Sequence, residues 1–138
     1  MKIMICGSMH FSREMLEAKK ILEAKGHEVM VPDDVHDCLE NPELNMDMEH
    51  CLKWDIDKKC FDKVAESDAI VVLNYPKHGM KGYIGGATLM EIGLARHLDK
   101  KIFLLHEPPS EKELRYIHEV KLTNPVILNG DFSRIASR

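Results

Sequence analysis

The sequence predicts a doubly wound α/β domain: a five-stranded parallel sheet of order 2-1-3-4-5 with helices on both faces, a Rossmann-like, flavodoxin-like layout. Two observations lead there. Short apolar runs alternate with stretches of helical periodicity along the chain, and the connections between them are short. Right-handed crossovers then leave few topologies, of which this order is the one expected. At 138 residues, 44% apolar and 30% charged, the chain is expected to be one domain spanning 1–138 with its own core.

The elements follow in order. Lys2–Cys6 reads as a strand that ends at Gly7-Ser8. Ser12 is placed to cap a helix in which Phe11, Met15, Ala18 and Leu22 recur at helical spacing, and Gly26 stops it. His27–Val31 is a second strand, closed by Pro32. From Asp33 to Asp47 the chain is acidic and irregular, with Asn41-Pro42 in the middle; it reads as a surface segment that folds over a ligand or meets a partner. A single helix from Met48 to Glu66 then puts Leu52, Ile56, Cys60 and Val64 on one face. Ala69–Leu73 is the most apolar strand. The loop 74–86 follows, then a helix to about Leu98, a strand Ile102–Leu105, a short helix from Ser110 to about His118, and a last strand Val126–Leu128 before a polar tail. No internal repeat or low-complexity segment interrupts this order.

Composition excludes several classes. The net charge is −4, and Lys58-Lys59 and Lys100-Lys101 are isolated pairs, so no basic stripe for nucleic acid is expected. No run approaches the roughly 18 apolar residues of a membrane span, and the chain opens on a strand without a basic leader, so a cytoplasmic protein is expected. The four cysteines, Cys6, Cys38, Cys51 and Cys60, form no C-x-x-C pair; Cys6 reads as a small core residue. The eight histidines are scattered. His36-Asp37-Cys38 and His50-Cys51 are the densest metal-like group, but adjacent residues on a helix point apart, so no metal and no cofactor is expected.

The stretch that carries chemistry runs from Tyr83 to Ala95. Gly85-Gly86 lets backbone amides approach a ligand, a helix start adds free N–H groups, and Glu91 is expected in the first turn at an exposed terminus. Thr88-x-x-Glu91 is equally a capping box that any helix can use. Position in the fold decides between the two. Ligands bind beyond the carboxyl ends of the strands where the winding reverses, which in this order lies between strands 1 and 3. Gly7-Ser8-Met9-His10 and the loop from Asn74 and Tyr75 to Gly85, Gly86 and Thr88 therefore converge on one crevice with Glu91. Lys77, His78 and Lys81 read as solvated charges at its mouth. No G-x-x-x-x-G-K-[ST], G-x-G-x-x-G or G-x-S-x-G is present. Trp54 in a helix and the single loop aromatic Tyr75 give no flavin sandwich.

In order and spacing, Cys6-Gly7-Ser8, Ser67-Asp68-Ala69-Ile70-Val71-Val72, Glu91-Ile92-Gly93-Leu94-Ala95 and the strand after Lys100-Lys101 resemble the nucleoside 2-deoxyribosyltransferase-like superfamily, which includes the deoxynucleoside 5′-monophosphate N-glycosidases. The resemblance covers most of the chain. It implies that Glu91 is the nucleophile at the anomeric carbon, that Asp68 assists at the base, and that Ser8 contacts a 5′-phosphate. It further implies a small-molecule nucleoside or nucleotide partner and a homodimer or higher homo-oligomer, for which the helix bearing Trp54 offers a contact face. Met4 stands where the family often has tyrosine, and Gly85 where transferases carry aspartate and monophosphate hydrolases often carry serine. The run Gly85–Glu91 also resembles the P-G-G-x-G-T-x-x-E motif of the lysine-decarboxylase-like phosphoribohydrolases, one residue short and without the proline.

Two functions are compatible with these residues. One is N-glycosidic cleavage or deoxyribosyl transfer, in which an ionised Glu91 meets an oxocarbenium-like centre. The other, suggested by Met4 and Gly85, is a non-catalytic nucleotide-binding or sensor domain with the same crevice.

Overall fold

The computed structural model describes residues 1–136. Its sheet contains β1 (Lys2–Cys6), β2 (Glu28–Met30), β3 (Ala69–Val72), β4 (Lys101–Leu104) and β5 (Val126–Ile127), in the order β2-β1-β3-β4-β5. Every pairing is parallel, with Ile3 beside Ala69 and Val72 beside Leu104 at the two ends of the centre. The helices are α1 (Ser12–Ala24), α2 (Val35–Glu40), α3 (Met48–Lys53), α4 (Ile56–Glu66), α5 (Gly86–His97) and α6 (Ile117–Leu122). The sheet order and the strand direction are those the sequence predicts.

Side chains alternate across the strands and so build two cores. Ile3, Ile5, Val71, Leu73 and Phe103 pack with Met15, Ala18 and Leu22 of α1 and with Val35 and Cys38 of α2. Met4, Cys6, Ile70, Val72, Ile102 and Leu104 face Cys60 and Val64 of α4, Ile92 and Ala95 of α5, and Ile117 and Val120 of α6. A sheet covered on both faces needs continuously apolar central strands, and β3 is buried at all of its positions.

Four local expectations are corrected. Ser12 is not a cap: a 3₁₀ turn over Met9–Phe11 precedes α1, Ser8 caps that turn by accepting from the His10 N–H at 3.2 Å, and Ser12 Oγ donates to the Met9 carbonyl. The acidic segment is not irregular, because it forms α2 and a 3₁₀ turn over Pro42–Met46. The single helix Met48–Glu66 is two helices, broken where Asp55 adopts a left-handed φ of 49°. Its apolar stripe breaks with it: Cys60 and Val64 are buried, whereas Leu52 is 69% exposed. Finally, Ser110 accepts from the Glu113 N–H at 3.3 Å but starts only a turn, and the helix begins at Ile117.

One loop contact is tight enough to test. Gly82 has φ +72°, and a Cβ there would lie 2.0 Å from the Glu107 carbonyl oxygen and 3.1 Å from Pro108 Cα. Both neighbours are backbone, so neither yields by a rotamer change. Gly82→Ala is expected to cost about 3 kcal/mol or more in denaturant unfolding. A variant within about 0.5 kcal/mol of the parent would show that the 74–86 loop is not held against this backbone.

Candidate active site

The crevice opens at the carboxyl ends of β1 and β3. Immediately after β1, Gly7 takes φ +148°, and a Cβ there would press on the Leu73 carbonyl at 3.1 Å; the two loops meet backbone against backbone. Ser8 follows with extended backbone, and its Oγ accepts from Lys77 Nζ at 2.9 Å, across 69 residues of sequence. Lys77 is presented by a two-residue turn: its N–H and carbonyl each bond Met80 at 3.0 Å, while His78 and Gly79 supply the positive φ values of 53° and 73°.

Opposite stands the start of α5. Gly85 occupies the cap position without any side-chain cap, and the Leu89 N–H to Gly85 carbonyl bond, 2.9 Å, is the first that closes the helix. The amides of Gly86, Ala87 and Thr88 are therefore free of helical partners. Gly7, Ser8, Phe11, Lys77, His78 and Gly85 to Thr88 line a cavity of about 330 Å³ with Asn45 and Met46. This end holds the Lys77 ammonium and amide donors and no carboxylate, chemistry that suits an anion.

A second cavity of about 270 Å³ adjoins it, sharing Gly7, Asn45 and Ala87. Met9, Met48, Leu52, Ile56, Phe61 and Met90 give it apolar walls, and Glu91 lies in it. Here the structure corrects the sequence reading twice. The first turn of α5 contains no acidic residue, so Glu91 sits in the second turn, and no capping box forms because the cap is Gly85 rather than Thr88. Nor is Glu91 at an exposed terminus, being 8% exposed. Burial pushes its pKa up to about 7, outweighing hydrogen bonding from the Cys6 thiol, which acts the other way. The thiol stays protonated, raised well above its ordinary value by its own burial and then by the neighbouring Glu91.

The other expected residues divide. Gly7, Ser8, Met9, Gly85, Gly86 and Thr88 all line the crevice. Asn74 does not: its amide donates to the carbonyls of Gly82 at 3.3 Å and His106 at 2.7 Å, and its oxygen accepts from the His106 N–H at 2.9 Å. It is a cross-brace between the loops after β3 and β4. Tyr75 packs between Phe11 and His106, and exposed His10 turns its edge to Phe11, so both stay outside the two cavities. Asp68 is at the wrong end of the sheet. It precedes β3, and its carboxylate accepts from the Lys2 N–H at 2.7 Å, so the length of the strand separates it from Glu91. Met4 is fully buried in the core and lines neither cavity.

Sequence reasoning passed over Lys77, Asn45, Asp57, Cys60 and Phe61. Lys77 was expected to be a solvated charge; the short turn at His78-Gly79 was the signal that it is held in place. The others arrive from the segment after β2, which carries no motif. Within that segment Asp34 accepts from His50 Nε2 at 3.0 Å and from Cys38 Sγ at 3.4 Å, tying α3 to α2 and so holding the wall of the crevice. No group of three His, Cys, Asp or Glu side chains that would hold a metal occurs among the described residues.

The fold and crevice together define a doubly wound α/β protein with a ligand cleft at its topological switch point. Among solved structures, the chain is similar to the CMP N-glycosidase BcmB of Clostridium botulinum, with a TM-score of 0.51, 22% identity, and coverage of 92% of this chain and 84% of that one. At that identity the likeness establishes the shared fold. No protein-family model matches the sequence, and no curated protein matches it. Among the described residues, no helix is long and apolar enough to cross a membrane.

Proposed function

We propose that this protein cleaves the N-glycosidic bond of a nucleoside 5′-monophosphate, with Glu91 as the nucleophile. One observation carries the reading: a cationic, amide-lined cavity and an apolar cavity meet beside a buried carboxylate. In this arrangement the phosphate lies between Ser8, Lys77 and the amides of residues 86–88, the base occupies the apolar cavity, and the sugar spans Gly7, Asn45 and Ala87. The fold shared with a CMP N-glycosidase and the order of the sequence motifs support membership of the nucleoside 2-deoxyribosyltransferase-like superfamily.

The chemistry then follows from the geometry. A Glu91 oxygen bonds to C1′ as the C1′–N bond breaks, and the base leaves with the electron pair and takes up a proton. Water adds to C1′, frees the carboxylate and yields the sugar phosphate; a second base in place of water would make the reaction a transfer. Low dielectric around Glu91 strengthens its attraction to the developing positive charge. The non-catalytic reading rests on Met4 and Gly85, but Met4 lines neither cavity, and Lys77, which lines the same cavity as Gly85, offers an anion contact of the kind a serine would otherwise supply.

Incubation with a panel of nucleosides and their 5′-monophosphates, followed by chromatography, tests the proposal. Free base from at least one monophosphate, in preference to its nucleoside, is expected. No free base from any of them removes the enzymatic reading.

For assembly we propose a homodimer that covers the rim of the crevice. Met46, Met48, Leu52 and Met90 are 84, 71, 69 and 54% exposed there. Trp54 is 50% exposed, with Lys53 and Lys59 over its ring at 5.3 and 5.7 Å. Light scattering is expected to report a dimer or its multiple; a monomer at micromolar concentration would exclude it.

A further inference from the structure

We propose that Tyr116, the residue ahead of α6, is a positioning residue for the anion end of the crevice: its hydroxyl holds the turn from which the first amides of α5 are presented. The role rests on the phosphate site proposed above. Its ground is a gap between what that turn must do and what its own residues supply. Amides bind an anion well only when they already point at it. Gly85 and Gly86 are adjacent, so the backbone there has the widest choice of conformations. Gly85 caps α5 without a side-chain bond, and a Cβ on Gly86 would meet nothing within 4 Å. Stiffness has to come from outside the turn.

Gly82 is wedged against the Glu107 carbonyl, and its own carbonyl accepts from Asn74 at 3.3 Å, but both contacts act upstream of the cap. Tyr116 acts next to it. Its hydroxyl donates to the carbonyl of Ile84, a residue only 1% exposed, and no backbone amide among the described residues bonds that oxygen. Having given its proton, the hydroxyl can still accept, and the Tyr83 hydroxyl is within hydrogen-bonding reach of it. The Tyr83 ring lies 3.7 Å from where a Gly85 Cβ would stand, and His78 packs edge-on against that ring with centroids 4.9 Å apart. Tyr83 and His78 both line the anion cavity. Tyr116 is itself anchored, because the next residue, Ile117, is fully buried in the core beneath β4 and α5. Burial, and then Tyr83, push the Tyr116 hydroxyl up to about 12, so it keeps its proton near neutral pH.

Titration of inorganic phosphate into isotope-labelled protein, followed by NMR, tests the role on the parent, Tyr116→Phe and Lys77→Met. In the parent the amides of residues 86–88 are expected to shift and saturate. Phenylalanine keeps the ring but leaves the Ile84 carbonyl unsatisfied, so Tyr116→Phe should raise the phosphate dissociation constant roughly tenfold, the worth of one hydrogen bond. The Leu89 N–H, which bonds the Gly85 carbonyl at 2.9 Å, should exchange with solvent faster by a similar factor, while the amides of β3 keep their protection. Lys77→Met should also weaken phosphate but leave Leu89 exchange unchanged, since it removes a contact rather than a support. Unchanged phosphate affinity in Tyr116→Phe overturns the proposal. So does weaker binding with exchange raised throughout the chain, the mark of a merely structural bond. A Tyr116→Phe protein too unstable to purify overturns it as well, because the hydroxyl would then carry the fold and not the site. If phosphate leaves the amides of residues 86–88 of the parent unmoved, the anion site falls and this role falls with it. A parent that binds phosphate there beside a Tyr116→Phe variant that binds it equally well removes this role alone.

Discussion

Replacing Glu91 with glutamine should lower glycosidic cleavage by several orders of magnitude and, at the same time, stabilise the protein above neutral pH. The first effect follows because an amide neither attacks C1′ nor stabilises a cationic centre. The second follows from burial. The pKa of Glu91 is raised from 4.5 to about 7, so between these values the folded chain holds a proton that the unfolded chain has released. Ionising Glu91 therefore opposes folding progressively as pH rises from 4.5 to about 7. The cost is absent below that window and reaches up to about 3 kcal/mol above it. Glutamine has no such cost. Glu91→Gln should melt with the parent at pH 4 and several degrees higher at pH 8.5, by roughly 3 °C per kcal/mol. Activity in the parent should rise with pH through about 7 as the carboxylate ionises. A fully active Glu91→Gln ends the proposed mechanism, and equal melting temperatures at pH 8.5 would show that the carboxylate is not held in a dry site.

Lys77→Met should make the second largest change, and a selective one. Methionine keeps the bulk of the stem but removes the ammonium that bonds Ser8 at 2.9 Å in the anion cavity. Loss of one charge-assisted contact to a phosphate costs roughly 1.5–3 kcal/mol, which is about 10- to 150-fold in affinity. KM for a monophosphate should rise by that factor with little change in kcat, since the contact lies away from the bond that breaks. Cleavage of the corresponding nucleoside should not change, so the preference for monophosphate collapses. The parent should lose affinity with added salt more steeply than the variant. An undiminished preference for monophosphates in Lys77→Met would place the phosphate elsewhere.

The frame of the protein is legible in the sequence because short-range physics dictates it. Continuous apolar runs such as Ala69–Val72 have to be covered on both faces, helices lie between them, and right-handed crossovers leave few arrangements of a parallel sheet. The same reasoning brings Gly7, Ser8 and the Gly85–Thr88 turn to one crevice, since each follows a central strand in sequence. Helix ends were harder to read. The stripe through Leu52, Ile56, Cys60 and Val64 keeps helical spacing across a break, because periodicity does not register a single residue, Asp55, in the left-handed region.

Asp68 and Asn74 show where local reasoning stops. Both are polar residues at the ends of the most apolar strand, and the chain alone does not reveal which backbone groups need them. In the folded protein Asp68 satisfies the Lys2 amide at the amino edge of the sheet, and Asn74 satisfies the backbone around Gly82 and His106. The character of Glu91 was also decided in three dimensions. Its spacing from Thr88 imitates a capping box, yet Gly85 takes the cap, and packing against β1 and α4 turns the carboxylate from an exposed helix-end charge into a buried one with a pKa near 7. Sequence by itself determined the sheet, the position of the crevice and the two loops that form it, through hydrophobic periodicity and chain handedness. Tertiary structure alone decided that Lys77 reaches Ser8, that Asp57 and Phe61 join Glu91, and that Glu91 is dry, because those properties depend on contacts between segments whose separation along the chain hides them.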